Sequence, residues 1–426
     1  MLLLEGGRVC CPASGLDERA DVLIDAGVVQ AIGLGVVPEG ATPERLDCSG
    51  AVVAPGLIDL CAHLCDPGDP ARETLMGGAA AAAAGGFTTV LTMPDTQPVI
   101  DNPALVRDVI WRGSRVLGAR ILPAGAITMG LAGEDLAEIG LMVEAGAPAL
   151  ADAGVPVEDA GVLRRALDYS RPFGIPVMLR PGEPALERDG VMHEGAVSLR
   201  VGLRGVPALA EELGVTRLVG LARLTRAPVH LTHVTTARSL DLVRRAKDDG
   251  VRVTASAPAR NLLLTDADIE SSGYDTRLRV MPPLRPEADR VALLRAATDG
   301  TLDALISDHV PWGQEDKELE FAWAQPGATG LATALHAAWT ALDGDLGRVL
   351  ALLSVGPGRV LGRGGRLVVG GVADITVLED ADGGPIDGRR FGRAHNEPLA
   401  GRSLRGRVRA TLVSGQLVFR AVASVG

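Results

Sequence analysis

The sequence predicts an α/β fold, a (β/α)₈ barrel with a small β domain beside it, from three observations. The chain has 426 residues, enough for a barrel of about 250 residues and a further domain. Eight short apolar runs alternate with amphipathic or Ala/Leu-rich segments along its middle. Both ends instead carry short strands broken by Gly turns.

The barrel prediction depends on the eight apolar runs. Near-continuous apolar runs separated by helices are typical of a parallel sheet that is covered on both faces. Eight such units close a barrel, and an open doubly wound sheet is the alternative that the same alternation allows. The candidate strands are residues 52–59, 88–93, 120–126, 147–152, 176–180, 229–233, 251–255 and 304–308.

The two ends predict one composite β domain. Residues 1–51 and 361–426 carry short strand patterns, including a strand pair at 408–413 and 416–419 around Ser414 and Gly415. We expect these two segments to pair with each other beside a barrel that covers residues 52–360.

Charge and cysteine content argue against several classes of protein. A net charge of -11 does not suit a nucleic-acid binder. Five cysteines without a Cys-x-x-Cys pair do not suit a disulfide framework in a chain of this size. The longest Ala/Gly-rich apolar stretch, residues 76–87, is shorter than the roughly 18 apolar residues of a membrane span. We therefore expect a protein of the reducing cytoplasm that binds neither nucleic acid nor membrane.

Polar residues at the carboxyl ends of the candidate strands indicate where the chemistry lies, because barrel enzymes keep their sites at that face. Cys61, His63 and Cys65 follow strand one, and Asp95 follows strand two. Strands four, five, six and eight end at Asp152, Arg180, His233 and Asp308 respectively.

The segments around these residues resemble the dihydroorotase family of the amidohydrolase superfamily. Residues 56–59 and 63–68 are similar to the family signature Gly-Leu-Ile-Asp followed by His-x-His-x-Arg-Asp-Pro-Gly. The resemblance covers essentially the whole chain, with further matches at residues 85–89, 93–102, 159–161, 274–276, 282–285, 299–304 and 373–374.

The resemblance implies a zinc site that interconverts carbamoyl aspartate and dihydroorotate in pyrimidine synthesis. In the family, zinc activates water and polarises the scissile carbonyl. Histidines of strands one, five and six and a carboxylate of strand four hold the metal, and an Asp of strand eight binds metal and moves the proton. An Arg of the strand-one motif and two Asn residues hold the substrate carboxylate.

This chain departs from the family pattern at several of these positions. On the metal side, His63, Asp152, His233 and Asp308 are kept, whereas Cys61 and Arg180 replace histidines. On the substrate side, Cys65 replaces the Arg, and Asp95 and Met281 replace the two Asn residues. Arg260-Asn261 replaces a His pair after strand seven, and Trp312 replaces a further His after strand eight.

These departures predict a degenerate, non-catalytic member of the family without bound metal. A guanidinium has no lone pair for zinc and stays charged, so Arg180 would repel a dication. We expect Arg180 to fill the metal position and to pair with Asp308, Asp152 or both. Asp95 is expected to repel a substrate carboxylate, which adds to the loss of the Arg at Cys65.

Two functions follow from the resemblance. Degenerate members of the family bind aspartate transcarbamoylase and help to assemble it, which implies the transcarbamoylase catalytic chain as a partner within an oligomer. The alternative is an active zinc-dependent dihydroorotase or related cyclic-amide hydrolase. In that case one zinc ion would be held by Cys61, His63, His233 and Asp308.

Overall fold

A computed structural model describes residues 1–152, 154, 156–386, 394 and 396–421, and in these residues the predicted barrel is confirmed. The third strand has two segments, one in each of the two barrel sheets, and so joins them. A parallel bridge between Ala62 and His309 links the other two edges. The eight barrel strands of the described chain are Leu57–Ala62, Phe87–Thr92, Arg120–Pro123 with Gly125–Ala126, Leu150–Ala151, Val177–Leu179, Val229–Leu231, Val253–Pro258 and Ala304–Ile306.

Helices surround the barrel strands. Asp159 shows how one begins, because its carboxylate accepts the Gly161 and Val162 N–H groups at the helix N-terminus. The described helices are Leu75–Ala84, Pro103–Gly113, Ile139–Glu144, Ala160–Ser170, Pro184–Glu187, Ala196–Val201, Ala208–Thr225, Ala237–Asp248, Ala267–Ser271, Glu287–Asp299, Gln314–Lys317, Ala334–Ala341, Leu346–Leu350, Ala351–Val355 and Gly356–Leu361. None of them is long and apolar enough to cross a bilayer.

The two ends of the chain form one sheet, as predicted. Val52–Pro55 is its centre, paired in parallel with Leu2–Cys11 and antiparallel with Ile375–Pro385. The predicted C-terminal strand pair is present as Ser403–Val413 and Gln416–Arg420. The remaining strands are Leu16–Asp25, Val28–Gly33 and Glu44–Asp47, and the short pair Met192–His193 and Gly205–Val206 lies outside this sheet.

The prediction of one strand over residues 52–59 is wrong. The chain passes from the small sheet to the barrel at Gly56, between Val52–Pro55 and Leu57–Ala62. The Gly56 N–H donates to the Asp374 carbonyl at 2.9 Å, and a Cβ at this position would collide with the side chain of Thr88. Both strands are fully buried, so the apolar run continues across the junction and hides it.

Candidate active site

Three possible metal ligands meet at the carboxyl ends of barrel strands one, six and eight. One ligand atom each of Cys61, His233 and Asp308 lies within 4.8 Å of the others, and all three residues are buried. His233 Nε2 is 2.8 Å from Asp308 Oδ1 and 3.8 Å from Cys61 Sγ. Thiolate, imidazole and carboxylate are zinc ligands, and three protein ligands with a further position open are typical of catalytic zinc. The donor set therefore fits one zinc ion.

The backbone beside this cluster is fixed by Asp59. Its two carboxylate oxygens accept the N–H and the hydroxyl of Ser307, each at 2.7 Å, which ties strand one to the end of strand eight. Asp308 and His233 have φ values of 45° and 58°, in the left-handed region that few non-glycine residues adopt, although Asp and His do so more often than most. Such backbone costs about 1–3 kcal/mol per residue, so the surrounding contacts must hold both residues in place.

Arg260 is the cation that contacts the cluster, and sequence reasoning did not foresee its contact. Its Nη2 bonds Asp308 Oδ2, and its Nη1 donates to the carbonyls of Ser307 and Asp308 at 3.1 Å each. Burial raises the pKa of Asp308, but Arg260 and His233 outweigh burial and lower it to about 2. Arg260 thus bonds Asp308 through Oδ2 and favours its ionised form, while Oδ1 remains beside His233 and Cys61.

Arg180 lies away from the cluster, so the predicted pairing with Asp308 or Asp152 is wrong. Its Nη1 and Nη2 donate to the two carboxylate oxygens of Glu187 at 2.7 and 2.6 Å, and its Nε bonds the Gly154 carbonyl. The fork of Glu187 matches the planar guanidinium, and such bidentate pairs are strong. A carboxylate seven residues away therefore satisfies Arg180 outside the cleft centre.

Asp152 also has partners other than the cluster. Its Oδ1 accepts the N–H groups of Ile127 and Thr128 at 2.8 and 3.2 Å, and its Oδ2 accepts the Thr128 hydroxyl at 2.8 Å. Burial raises the pKa of Asp152 in spite of these bonds. In the structure Asp152 therefore fixes the loop after the third strand.

His63 pairs with Asp95, and it lies outside the group formed by Cys61, His233 and Asp308. His63 Nδ1 is 2.6 Å from Asp95 Oδ2. Burial lowers the pKa of His63, but Asp95 reverses this, so the pKa of His63 is raised and that of Asp95 is lowered. Both shifts favour the ion pair, in which the two charges cancel. Asp95 is therefore paired with a basic side chain, which the prediction of its repulsion of a substrate carboxylate did not include.

The remaining two predicted site residues, Cys65 and Met281, have weakly polar side chains. Burial raises the pKa of the Cys65 thiol to about 12, so Cys65 stays protonated, and its Sγ lies 3.7 Å from the His63 carbonyl. Met281 is half-buried before Pro282 and has only a thioether in its side chain.

Comparison with known proteins places the chain beside cyclic-amide hydrolases. The family model described as dihydro-orotase-like matches residues 50–239. A protein of Pelotomaculum thermopropionicum named dihydroorotase is 44% identical over 426 residues, covering 98% of each chain. A dihydroorotase of Citrifermentans bemidjiense is 40% identical over 425 residues, covering 99% of this chain and 100% of its own.

Solved structures show the same fold at lower sequence identity. The L-hydantoinase (dihydropyrimidinase) of Arthrobacter aurescens has a TM-score of 0.87 at 23% identity, covering 99% of this chain and 97% of its own. The dihydropyrimidinase of Brevibacillus agri has a TM-score of 0.83 at 20% identity, covering 98% and 95%. These likenesses confirm the barrel with its small β domain.

The prediction of a non-catalytic assembly subunit is wrong in the light of these relatives. Proteins that carry the name dihydroorotase match this chain at about 40% identity from end to end. The expectation that no cofactor is bound is not supported either. Its physical basis was Arg180 in the metal position, and Arg180 pairs with Glu187 instead, while three zinc-type ligands converge.

Proposed function

The chain belongs to the dihydroorotase family, and we propose that it is an active zinc-dependent hydrolase that interconverts dihydroorotate and carbamoyl aspartate. The observation that carries this proposal is the convergence of Cys61, His233 and Asp308 within 4.8 Å at the catalytic face of the barrel. The name of the relatives supports the choice of substrate, and pyrimidine synthesis is the setting that this reaction implies.

The zinc ion would be held by Cys61 Sγ, His233 Nε2 and Asp308 Oδ1. Zinc in a site of this kind polarises a carbonyl group and activates water. Burial and the carboxylates of Asp308 and Asp59 raise the pKa of the Cys61 thiol, so metal binding must displace its proton. This set keeps three of the four ligands of the alternative prediction and leaves His63 with Asp95.

Asp308 is the group that can move a proton in this site. Its carboxylate is buried and ionised, so it can accept the proton of the attacking water. The same proton then passes to the amide nitrogen that leaves when the ring opens. Arg260 is a positioning residue in this scheme, because it holds the Asp308 carboxylate through Oδ2.

Zinc content tests the proposal with two matched thiol variants. Wild-type protein purified without chelator should hold about one zinc ion per chain by elemental analysis and should turn over in both directions. Cys61→Ala should lose the zinc, because it removes one of the three ligands. Cys65→Ala removes a buried thiol four residues away, outside the cluster, and should keep the zinc.

The proposal fails if the wild type holds no stoichiometric zinc and shows no turnover above buffer. It also fails if Cys65→Ala loses zinc as completely as Cys61→Ala does. The association with the aspartate transcarbamoylase catalytic chain stays a prediction, since neither the fold nor the relatives bear on it.

A further inference from the structure

Arg72 bridges the loops that follow strands one and eight. Its Nε donates to the Pro311 carbonyl at 2.9 Å, and its guanidinium carbon lies 3.5 Å from the ring centroid of Trp312. Pro311 and Trp312 come shortly after Asp308, and Arg72 comes shortly after Cys65. The guanidinium is therefore fixed beside the site by a hydrogen bond and a stacked ring.

Arg72 has no salt bridge in the described part of the chain. The same loop carries three acidic residues, all within the described chain, and none of them forms an ion pair with Arg72. Asp66 pairs with Arg112, Glu73 Oε1 accepts the Thr74 N–H, and the Asp69 carbonyl accepts the Arg72 N–H. With Nε engaged and the face stacked, the Nη1 and Nη2 edge is the part of Arg72 that can still receive a carboxylate.

The charge of Arg72 reaches the substrate side of the site. The Asp69 N–H donates to the Cys65 carbonyl at 2.8 Å, and the Arg72 N–H donates to the Asp69 carbonyl at 3.2 Å, so Arg72 belongs to the turn that begins at Cys65. Burial raises the pKa of Cys65 and opposes the ionisation of Asp95, and the positive charge of Arg72 acts against burial at both. Cys65 and Asp95 are the positions at which the family pattern has carboxylate-binding Arg and Asn residues. Arg72 thus supplies a positive charge on the loop in which Cys65 replaces the arginine of the family.

We propose that Arg72, held against Trp312, binds the carboxylate of the anionic cyclic-amide substrate. This rests on the proposed function and names the residue that selects a charged ring over a neutral one. The Arg72 guanidinium is already held by its Nε hydrogen bond and by stacking on Trp312, so it loses little conformational freedom when Nη1 and Nη2 bind a carboxylate. The Asp95 carboxylate lies 2.6 Å from His63 Nδ1, and the protonated imidazole offsets its charge.

Equilibrium binding of two matched rings tests the inference on the intact protein. Orotate carries the substrate carboxylate on an unsaturated ring, and uracil is the same ring without it. A hydrogen-bonded charge contact contributes about 1.5–3 kcal/mol, roughly a 10- to 100-fold change in affinity. We expect Arg72→Gln to weaken orotate binding by roughly that factor in calorimetry, and to leave uracil binding within about twofold.

Arg115→Gln is the matched control. Arg115 also stacks on a tryptophan, with its guanidinium carbon 3.7 Å from the Trp111 ring centroid, but on the exposed end of a barrel helix. This variant should change the binding of neither ring. Arg72→Lys keeps the charge without the planar fork and should lie between wild type and Arg72→Gln. It replaces Arg72→Gln if that variant fails to fold by circular dichroism.

Three results would overturn the inference: no orotate binding by the wild type, equal orotate affinity in wild type and Arg72 variants, or equal losses for both rings. Its failure is separable from that of the proposed function. An active wild type whose Arg72 variants keep full orotate affinity overturns the Arg72 inference alone. An inactive wild type that binds orotate through Arg72 overturns the hydrolase proposal alone.

Discussion

The two sides of the barrel mouth differ in where their polar side chains point. On the side of strands one, six and eight, Cys61, His233 and Asp308 point their ligand atoms at one another. On the side of strands four and five, Asp152 and Arg180 are bonded to nearby loops and to Glu187. The first side can hold one zinc ion, whereas the second side has become part of the scaffold.

Two arginines occupy positions where the family has histidines, and they lie on different sides of the barrel mouth. Arg260, after strand seven, bonds Asp308 at the cluster, whereas Arg180, after strand five, turns to Glu187. Both side chains are nearly fully buried and both are paired with a carboxylate. A buried guanidinium without a counter-ion is costly, so each of these arginines is paired with a carboxylate within its reach.

The two aspartates differ in the same way. Burial raises the pKa of both, but Asp308 has Arg260 and His233 beside it and its pKa falls to about 2. Asp152 accepts hydrogen bonds only from neutral groups, and its pKa stays above the ordinary value. Nearby cations thus lower the pKa of a buried carboxylate, whereas hydrogen bonds from neutral groups leave the effect of burial dominant.

The largest expected effect comes from Asp308→Asn. An amide cannot act as a proton acceptor and is a poor zinc ligand, so kcat/KM for dihydroorotate should fall by at least about 1,000-fold, about 4 kcal/mol of barrier. Zinc content should fall in the same preparation. Steady-state kinetics and elemental analysis check both. A variant that keeps more than a tenth of wild-type turnover would show that Asp308 does not move the proton.

Arg180→Met should destabilise the fold without touching the metal side. It leaves the Glu187 carboxylate, whose side chain is 12% exposed, without its cation, and we expect a loss of about 3 kcal/mol in the free energy of unfolding. Urea unfolding measures this loss, and zinc content should stay at the wild-type level. The double variant Arg180→Met/Glu187→Met removes both charges and should recover most of the stability. Loss of zinc in the single variant would mean that the two sides of the mouth are coupled.

Much of the fold could be predicted from the sequence because its signals are local. Alternating apolar runs gave the barrel, and Gly turns around Ser414-Gly415 gave the last strand pair. The junction at Gly56 could not be predicted, since two buried strands of different sheets read as one apolar run. In the sequence, Gly56 alone marks the point where one strand ends and the next begins.

The candidate site could be predicted only in part. The residues at the strand ends were the right ones, and three of the four alternative zinc ligands converge. The partners of the charged side chains were not predictable, because Arg180 and Arg260 are the same substitution in sequence and differ only in which carboxylate lies within reach. The pairing of His63 with Asp95 connects the loops after strands one and two, and no local sequence pattern in either segment indicates it.

The smallest expected effect is that of Asp152→Asn, and its sign depends on pH. The pKa of Asp152 is raised in the folded state, so its contribution to stability is complete below the unfolded pKa of about 3.9. That contribution is lost as the pH rises through the folded pKa. Asparagine does not titrate, and its amide can still accept the Ile127 and Thr128 N–H groups. Urea unfolding from pH 4 to 7 should therefore show a flatter stability profile for the variant than for the wild type.

Asp308 gives the opposite sign and serves as the control for that profile. Its pKa is lowered to about 2, so its contribution is present above the unfolded pKa and is lost as the pH falls through about 2. Asp152→Asn should also keep wild-type zinc content, because Asp152 lies outside the ligand group. If Asp152→Asn loses zinc, or if its profile steepens between pH 4 and 7, the strand-four side still takes part in the metal site, and the division between a catalytic side and a scaffold side fails.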